Sequence, residues 1–110
     1  MIRFKYTNGS WARMLKIADD REAAVRELLD SVGGSLEHMW WDVTTGSAYV
    51  IAQLPDAVTA AAVMTASAKT GGFSAVKAHE MLTQEQLRDA LALARSCDGA
   101  FQPPGAAAVG

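Results

Sequence analysis

Two glycine pairs, Gly33-Gly34 and Gly71-Gly72, constrain this chain more than any other feature. Each follows a stretch with helical spacing and precedes one that alternates apolar and polar residues. Each therefore reads as a helix stop that leads into a strand. Before the first pair, Val25, Leu28, Leu29 and Val32 recur at i, i+3, i+4 and i+7, the clearest helical stripe in the sequence. Upstream, Trp11, Leu15 and Ala18 also share helical spacing, and Asp19-Asp20 interrupts as a kink or a fresh cap. Before the second pair, Asp56 caps an alanine-rich helix, with its charge at the favourable positive end.

The remaining segments alternate with period two or carry turn chemistry. Ile2 to Tyr6 is a strand, and Asn8-Gly9-Ser10 breaks it and can cap the helix that follows. Strands over Ser35–Val43 and Ala48–Leu54 flank Thr44-Thr45-Gly46, a tight hairpin turn. Phe73 to Met81 reads as a fourth strand. Thr83-x-x-Gln86 is a capping-box pattern that starts a last helix, with Leu87, Ala90, Leu91 and Ala94 on one stripe. The order is β-α-β-β-α-β-α. It implies an α+β fold: a ferredoxin-like βαββαβ sandwich with a C-terminal helix and a four-stranded antiparallel sheet of order 4-1-3-2. Residues 1–97 form one domain in this reading. Residues 98–110, with Pro103-Pro104-Gly105 and small side chains, are expected to be a flexible tail.

Several stretches in this order resemble the GYD-domain family of small bacterial proteins. They are Tyr6-Thr7 with Ser10-Trp11, then Asp20-Arg21 with Ala23-Ala24-Val25-Arg26, then Gly33-Gly34-Ser35-Leu36. Leu54-Pro55-Asp56, Ala60-Ala61-Ala62, Val76-Lys77 and Leu82-Thr83 continue the match to about residue 95. The naming Gly-Tyr-Asp motif survives only as Gly46. Ser47-Ala48-Tyr49 stands where an acidic residue, Tyr and Asp would follow, so no role of that aspartate carries over. Ala78-His79-Glu80 also departs from the family pattern. The resemblance implies a fold related to dimeric α+β-barrel proteins and a homodimer or higher oligomer formed through the sheet. It implies no particular activity.

Alternation assigns the strand residues to two faces. The helix-covered face takes Ile2, Phe4 and Tyr6; Met39, Trp41 and Val43; Ala48, Val50, Ala52 and Leu54; Val76 and Ala78. The other takes Arg3, Lys5 and Thr7; Leu36, His38, Trp40 and Asp42; Tyr49, Ile51 and Gln53; Phe73, Ala75, Lys77 and His79. A bulge near Trp40-Trp41 would exchange the sets locally. Leaving Trp40, Tyr49, Ile51 and Phe73 in water is unfavourable, so a second copy packed sheet to sheet is the expected cover.

Composition narrows the chemistry. Ten basic against twelve acidic residues, net charge -2, disfavours nucleic acid and a polybasic membrane contact. The alternating start does not resemble an export signal, and the apolar stretch 57–68 is too short to span a bilayer, so a cytoplasmic location is expected. The single cysteine, Cys97, precludes an internal disulfide, and a helix C-terminus does not activate a thiol. His38 and His79 are the candidate catalytic residues, because imidazole transfers protons near neutral pH. Their strands would be opposite edges of the sheet. Trp40, Tyr49 and Lys77 are candidate ligand contacts for a small aromatic or anionic molecule. Asn8 and Trp11 are candidates beside a cleft at the first strand-to-helix turn. No metal site and no cofactor are expected: His38 and Asp42 would lie about 13 Å apart on one strand, and no metal-ligand spacing is present. The sequence therefore points to a small-molecule-binding or assembly module with a site near a sheet-to-sheet interface. A cofactor-independent enzyme of monooxygenase or isomerase type using His38 or His79 is the alternative by analogy of fold, and haem or metal binding through a histidine is a second.

Overall fold

The computed structural model describes residues 1–105. Its elements are β1 (Ile2–Tyr6), α1 (Asn8–Ile17), α2 (Arg21–Ser31), β2 (Ser35–Asp42), β3 (Ser47–Gln53), α3 (Ala57–Ala68), β4 (Phe73–Ala78) and α4 (Gln84–Cys97), followed by a 3₁₀ turn at Asp98–Ala100. The chain divides into two units, Met1–Glu80 and Met81–Gly110.

The first unit holds one antiparallel sheet of order β2-β3-β1-β4, the arrangement of a ferredoxin-like fold. Its core joins Ile2, Phe4 and Tyr6 of β1 and Ala48 and Val50 of β3 to Val25 and Leu29 of α2 and Val63 of α3. The stripe that begins at Val25 therefore buries Val25 and Leu29 against the sheet, with Leu28 and Val32 at its margin. Asp19-Asp20 separates two helices. α1 stops at Ala18, which is left-handed at φ 50°, and the Asp20 carboxylate accepts from Ala23 N at 3.0 Å to start α2. The cap of α1 is Thr7, whose hydroxyl accepts from Ser10 N at 3.2 Å; Asn8 is instead the first helical residue and is exposed.

Three face assignments change. β2 and β3 shift register between Leu36 and His38, so Leu36 pairs with Ala52 and His38 with Ile51. One residue, Glu37, is left over, and the bulge turns Leu36 into the core, 7% exposed. It lies near the start of β2, not at Trp40-Trp41. A second shift between Lys5 and Tyr6 pairs Tyr6 with Phe73 and turns the Phe73 ring onto Phe4 and Tyr6, at centroid distances of 5.1 and 4.8 Å. Val43 leaves the sheet and is 82% exposed, because β2 ends at Asp42 and the turn begins. β4 is also shorter than expected. It ends at Ala78, and His79 keeps only a backbone exchange with Met1, each amide or amine nitrogen 2.7 Å from the other residue's carbonyl oxygen.

In the second unit, α4 opens with a closed capping box: the Thr83 hydroxyl accepts from Gln86 N at 3.1 Å, and Thr83 N donates to Gln86 Oε1 at 2.9 Å. No residue of α4 is buried, and Leu87 and Leu91 on its stripe are exposed. The expected tail contains the Asp98–Ala100 turn, and its residues 106–110 lie outside the described residues. Among the described residues, no helix is long and apolar enough to cross a membrane.

Candidate functional site

The helices of the first unit cover one face of the sheet. On the opposite face, register places Trp40 beside Tyr49, Tyr49 beside Arg3, and Arg3 beside Lys77. These four residues form one row across all four strands, about 14 Å from end to end at the usual strand spacing. Three were candidates from the sequence, and the sheet brings them into line. Arg3 was not singled out, since an arginine alternating with apolar neighbours on a first strand looks like an ordinary solvated position. Its Nε is buried and has no hydrogen-bond partner among the described residues. Trp40 is 56% exposed.

His38 lies next to the aromatic end of this row. Its ring stacks on Trp40 with centroids 5.0 Å apart and planes 18° from parallel, as expected for two residues spaced by two on one face of a strand. His79 follows β4 at the other edge, so the two candidate catalytic residues stand three strand spacings apart. Both are exposed, and neither imidazole has a hydrogen-bond partner among the described residues. No group of three or more His, Cys, Asp or Glu side chains among the described residues is placed to hold a metal ion.

Asp42 closes the β2–β3 hairpin. Its carboxylate accepts from the Thr44 and Thr45 hydroxyls and from both backbone N–H groups, and these hydrogen bonds, led by the Thr44 hydroxyl, hold its pKa below the usual carboxylate value. The turn delivers Gly46 beneath the Trp11 indole. Trp11 also packs on Tyr6 and Trp41, at centroid distances of 5.7 and 5.6 Å. Trp11 is thus part of an aromatic cluster at this end of the core.

A cleft does open between sheet and helices, on another side of α1 from Asn8 and Trp11. Its volume is about 530 Å³. Phe4, Phe73, Met14 and Leu28 supply apolar wall, and Tyr6, Ser10, Arg13, Asp19 and Arg21 supply the polar part. Asp19 accepts from Arg21 at 2.8 Å. The Arg13 guanidinium donates to Ser10 Oγ at 3.2 Å, and Ser10 Oγ donates to the Gly72 carbonyl at 2.7 Å. The Tyr6 hydroxyl and Arg21 Nε are buried and meet no partner at full hydrogen-bond geometry among the described residues. Burial pushes the Tyr6 phenol above its ordinary pKa of 10, and the nearby Arg21 opposes this only in part. Burial alone would lower the Arg21 pKa; the ion pair with Asp19 and the adjacent phenol outweigh it and raise the pKa. Sequence reasoning placed a cleft at the strand-to-helix turn that follows β1 but missed Arg13 and Arg21, because charged residues on a helix read as a solvated face.

No curated protein and no solved structure matches this chain significantly. A family model, the GYD domain, matches residues 1–91. That match spans most of the 110-residue sequence, including the β2–β3 hairpin with Gly46 and the start of α4. The chain belongs to the GYD-domain family.

Proposed function

We propose that this GYD-domain protein is a self-associating assembly module of the cytoplasm, and that the face of its sheet opposite the helices of the first unit is the contact between copies. The supporting observation is the row Trp40–Tyr49–Arg3–Lys77, which holds a half-exposed tryptophan and, two strands away, an arginine Nε buried without a partner among the described residues. The row is aromatic toward β2 and cationic toward β4. A two-fold axis lying between the two sheets and parallel to their strands sets the aromatic half of one copy over the cationic half of the other, which favours cation–π contacts and covers Trp40. A small aromatic or anionic molecule held between the copies would use the same groups, the rings for stacking and Arg3 and Lys77 for charge. The exposure of His38 and His79, away from any enclosed apolar site, favours assembly over proton-transfer catalysis.

Native mass spectrometry and sedimentation velocity test this reading. A dimer or larger assembly is expected at micromolar concentration, weakened by Trp40→Ala and by Lys77→Glu. A monomeric wild type, or an assembly indifferent to both substitutions, overturns it.

A further inference from the structure

We infer that the cavity on the helix side of the sheet is a binding site for a small organic monoanion with an apolar body, such as an aromatic or medium-chain carboxylate. The cavity lies within the first unit and is separate from the proposed contact between copies. Its volume, about 530 Å³, falls within the range of small-molecule sites.

Two features select the ligand chemistry. The first is unused donor capacity. Arg21 Nε–H can only donate, and the Tyr6 hydroxyl can donate. Among the described residues neither of these buried wall atoms meets a partner at full hydrogen-bond geometry, although the Arg21 side chain lies close enough to the phenol to oppose part of the rise in its pKa. Buried polar groups are rarely left unpaired, and an oxygen acceptor placed between these two would satisfy both. The second is charge. The ionised groups in the lining are Arg13, Arg21 and Asp19, and Asp19 is already engaged by Arg21 NH1 at 2.8 Å. The lining keeps one positive charge in excess, which fits an anion of charge minus one. The body of the ligand is then set by Phe4, Phe73, Met14 and Leu28, two rings and two flexible aliphatic chains, which accept a flat or a slender apolar group.

The test uses the full chain with 2-naphthoate and decanoate as anionic probes and 2-naphthylmethanol as the neutral match for the first. Isothermal titration calorimetry reads affinity, and amide chemical-shift mapping reads location. At least one carboxylate is expected to bind, and a bound naphthoate should exceed the alcohol by roughly tenfold or more, the value of a charge-assisted hydrogen bond. Arg21→Gln should remove that preference and Tyr6→Phe should reduce it. Ala24→Leu, which adds volume to the cavity wall without touching a charge, should abolish binding while the circular dichroism spectrum stays native. Trp40→Ala should leave binding unchanged, which separates this site from the face between copies. Absence of binding by both carboxylates at millimolar concentration overturns the inference. So does equal affinity for naphthoate and the alcohol, or shifts confined to Tyr49 and Lys77.

Discussion

The indole of Trp11 lies directly over Gly46: a Cβ on Gly46 would stand 3.0 Å from Trp11 Nε1. Gly46 also has φ +69° and accepts from Tyr6 N at 3.0 Å through its carbonyl. The one glycine retained from the family's naming motif is thus needed twice, for a left-handed turn and for the close approach of a helix residue. Replacing it by alanine should cost about 1–2 kcal/mol from the backbone alone, and more if Trp11 must move. Urea unfolding and the near-UV dichroism of the tryptophans would measure the two effects separately.

Leu29 and Leu15 offer a direct comparison of burial. Leu29 is 1% exposed within the core and Leu15 is 86% exposed on α1. Leu29→Ala is expected to destabilise by about 2–5 kcal/mol, and Leu15→Ala by less than about 0.5 kcal/mol. Comparable losses in chemical denaturation would contradict the packing described above.

The bulge at Glu37 makes a sharper prediction. Deleting Glu37 removes the extra residue and leaves Leu36 opposite Ala52 and His38 opposite Ile51 in a regular ladder, so Leu36 should stay in the core. A change that turned Leu36 out of the core would instead lose burial worth about 1.5–3 kcal/mol. Glu37→Ala keeps the chain length and so should keep the bulge, losing only the hydrogen bond of 3.0 Å from Gln53 Nε2. Thermal unfolding should therefore show neither change costing as much as the burial of a leucine, and a loss of that size on deletion would contradict the pairing of Leu36 with Ala52.

Asp42 and Asp56 predict a pH dependence. Asp56 accepts from Thr59 N at 2.7 Å, and that backbone bond is the main cause of its lowered pKa; Asp42 is lowered mainly by the Thr44 hydroxyl. A carboxylate with a depressed folded-state pKa contributes stability that is fully present above its unfolded pKa, about 3.9. That stability is lost as pH falls through the lower folded value. Asp42→Ala and Asp56→Ala should each be less stable than wild type at pH 7, and the difference should shrink below about pH 4. A difference that stays constant down to pH 2 would mean that the carboxylate charge is not the source.

Much of the fold was legible because each strand or helix carries its own local reason. The helix stripe at Val25 to Val32, the stops at Gly33-Gly34 and Gly71-Gly72, the Asp56 cap and the Thr83 capping box depend on residues within about one turn of each other. So does the break at Asp19-Asp20, where the choice between a kink and a new cap was settled by Asp20 reaching Ala23 N. The order of elements then restricted the sheet to few topologies, and alternation put Trp40, Tyr49 and Lys77 on one face.

The sequence by itself determined most of the order of elements, the caps at Asp56 and Thr83, and the family. Tertiary structure alone decided where alternation is interrupted and what the interior encloses. Leu36 and Phe73 changed faces because each gains burial against residues far along the chain, and a single unpaired residue in a strand is enough to permit it. Arg21 and Tyr6 could not be paired from spacing, since they sit on different elements and come to line one cavity only when the helices pack on the sheet. Alternation and helical period report which way a residue points relative to its neighbours in sequence. They carry no information about the space left when helix and sheet close on each other, and the cavity with its two unpaired donors is a property of that space.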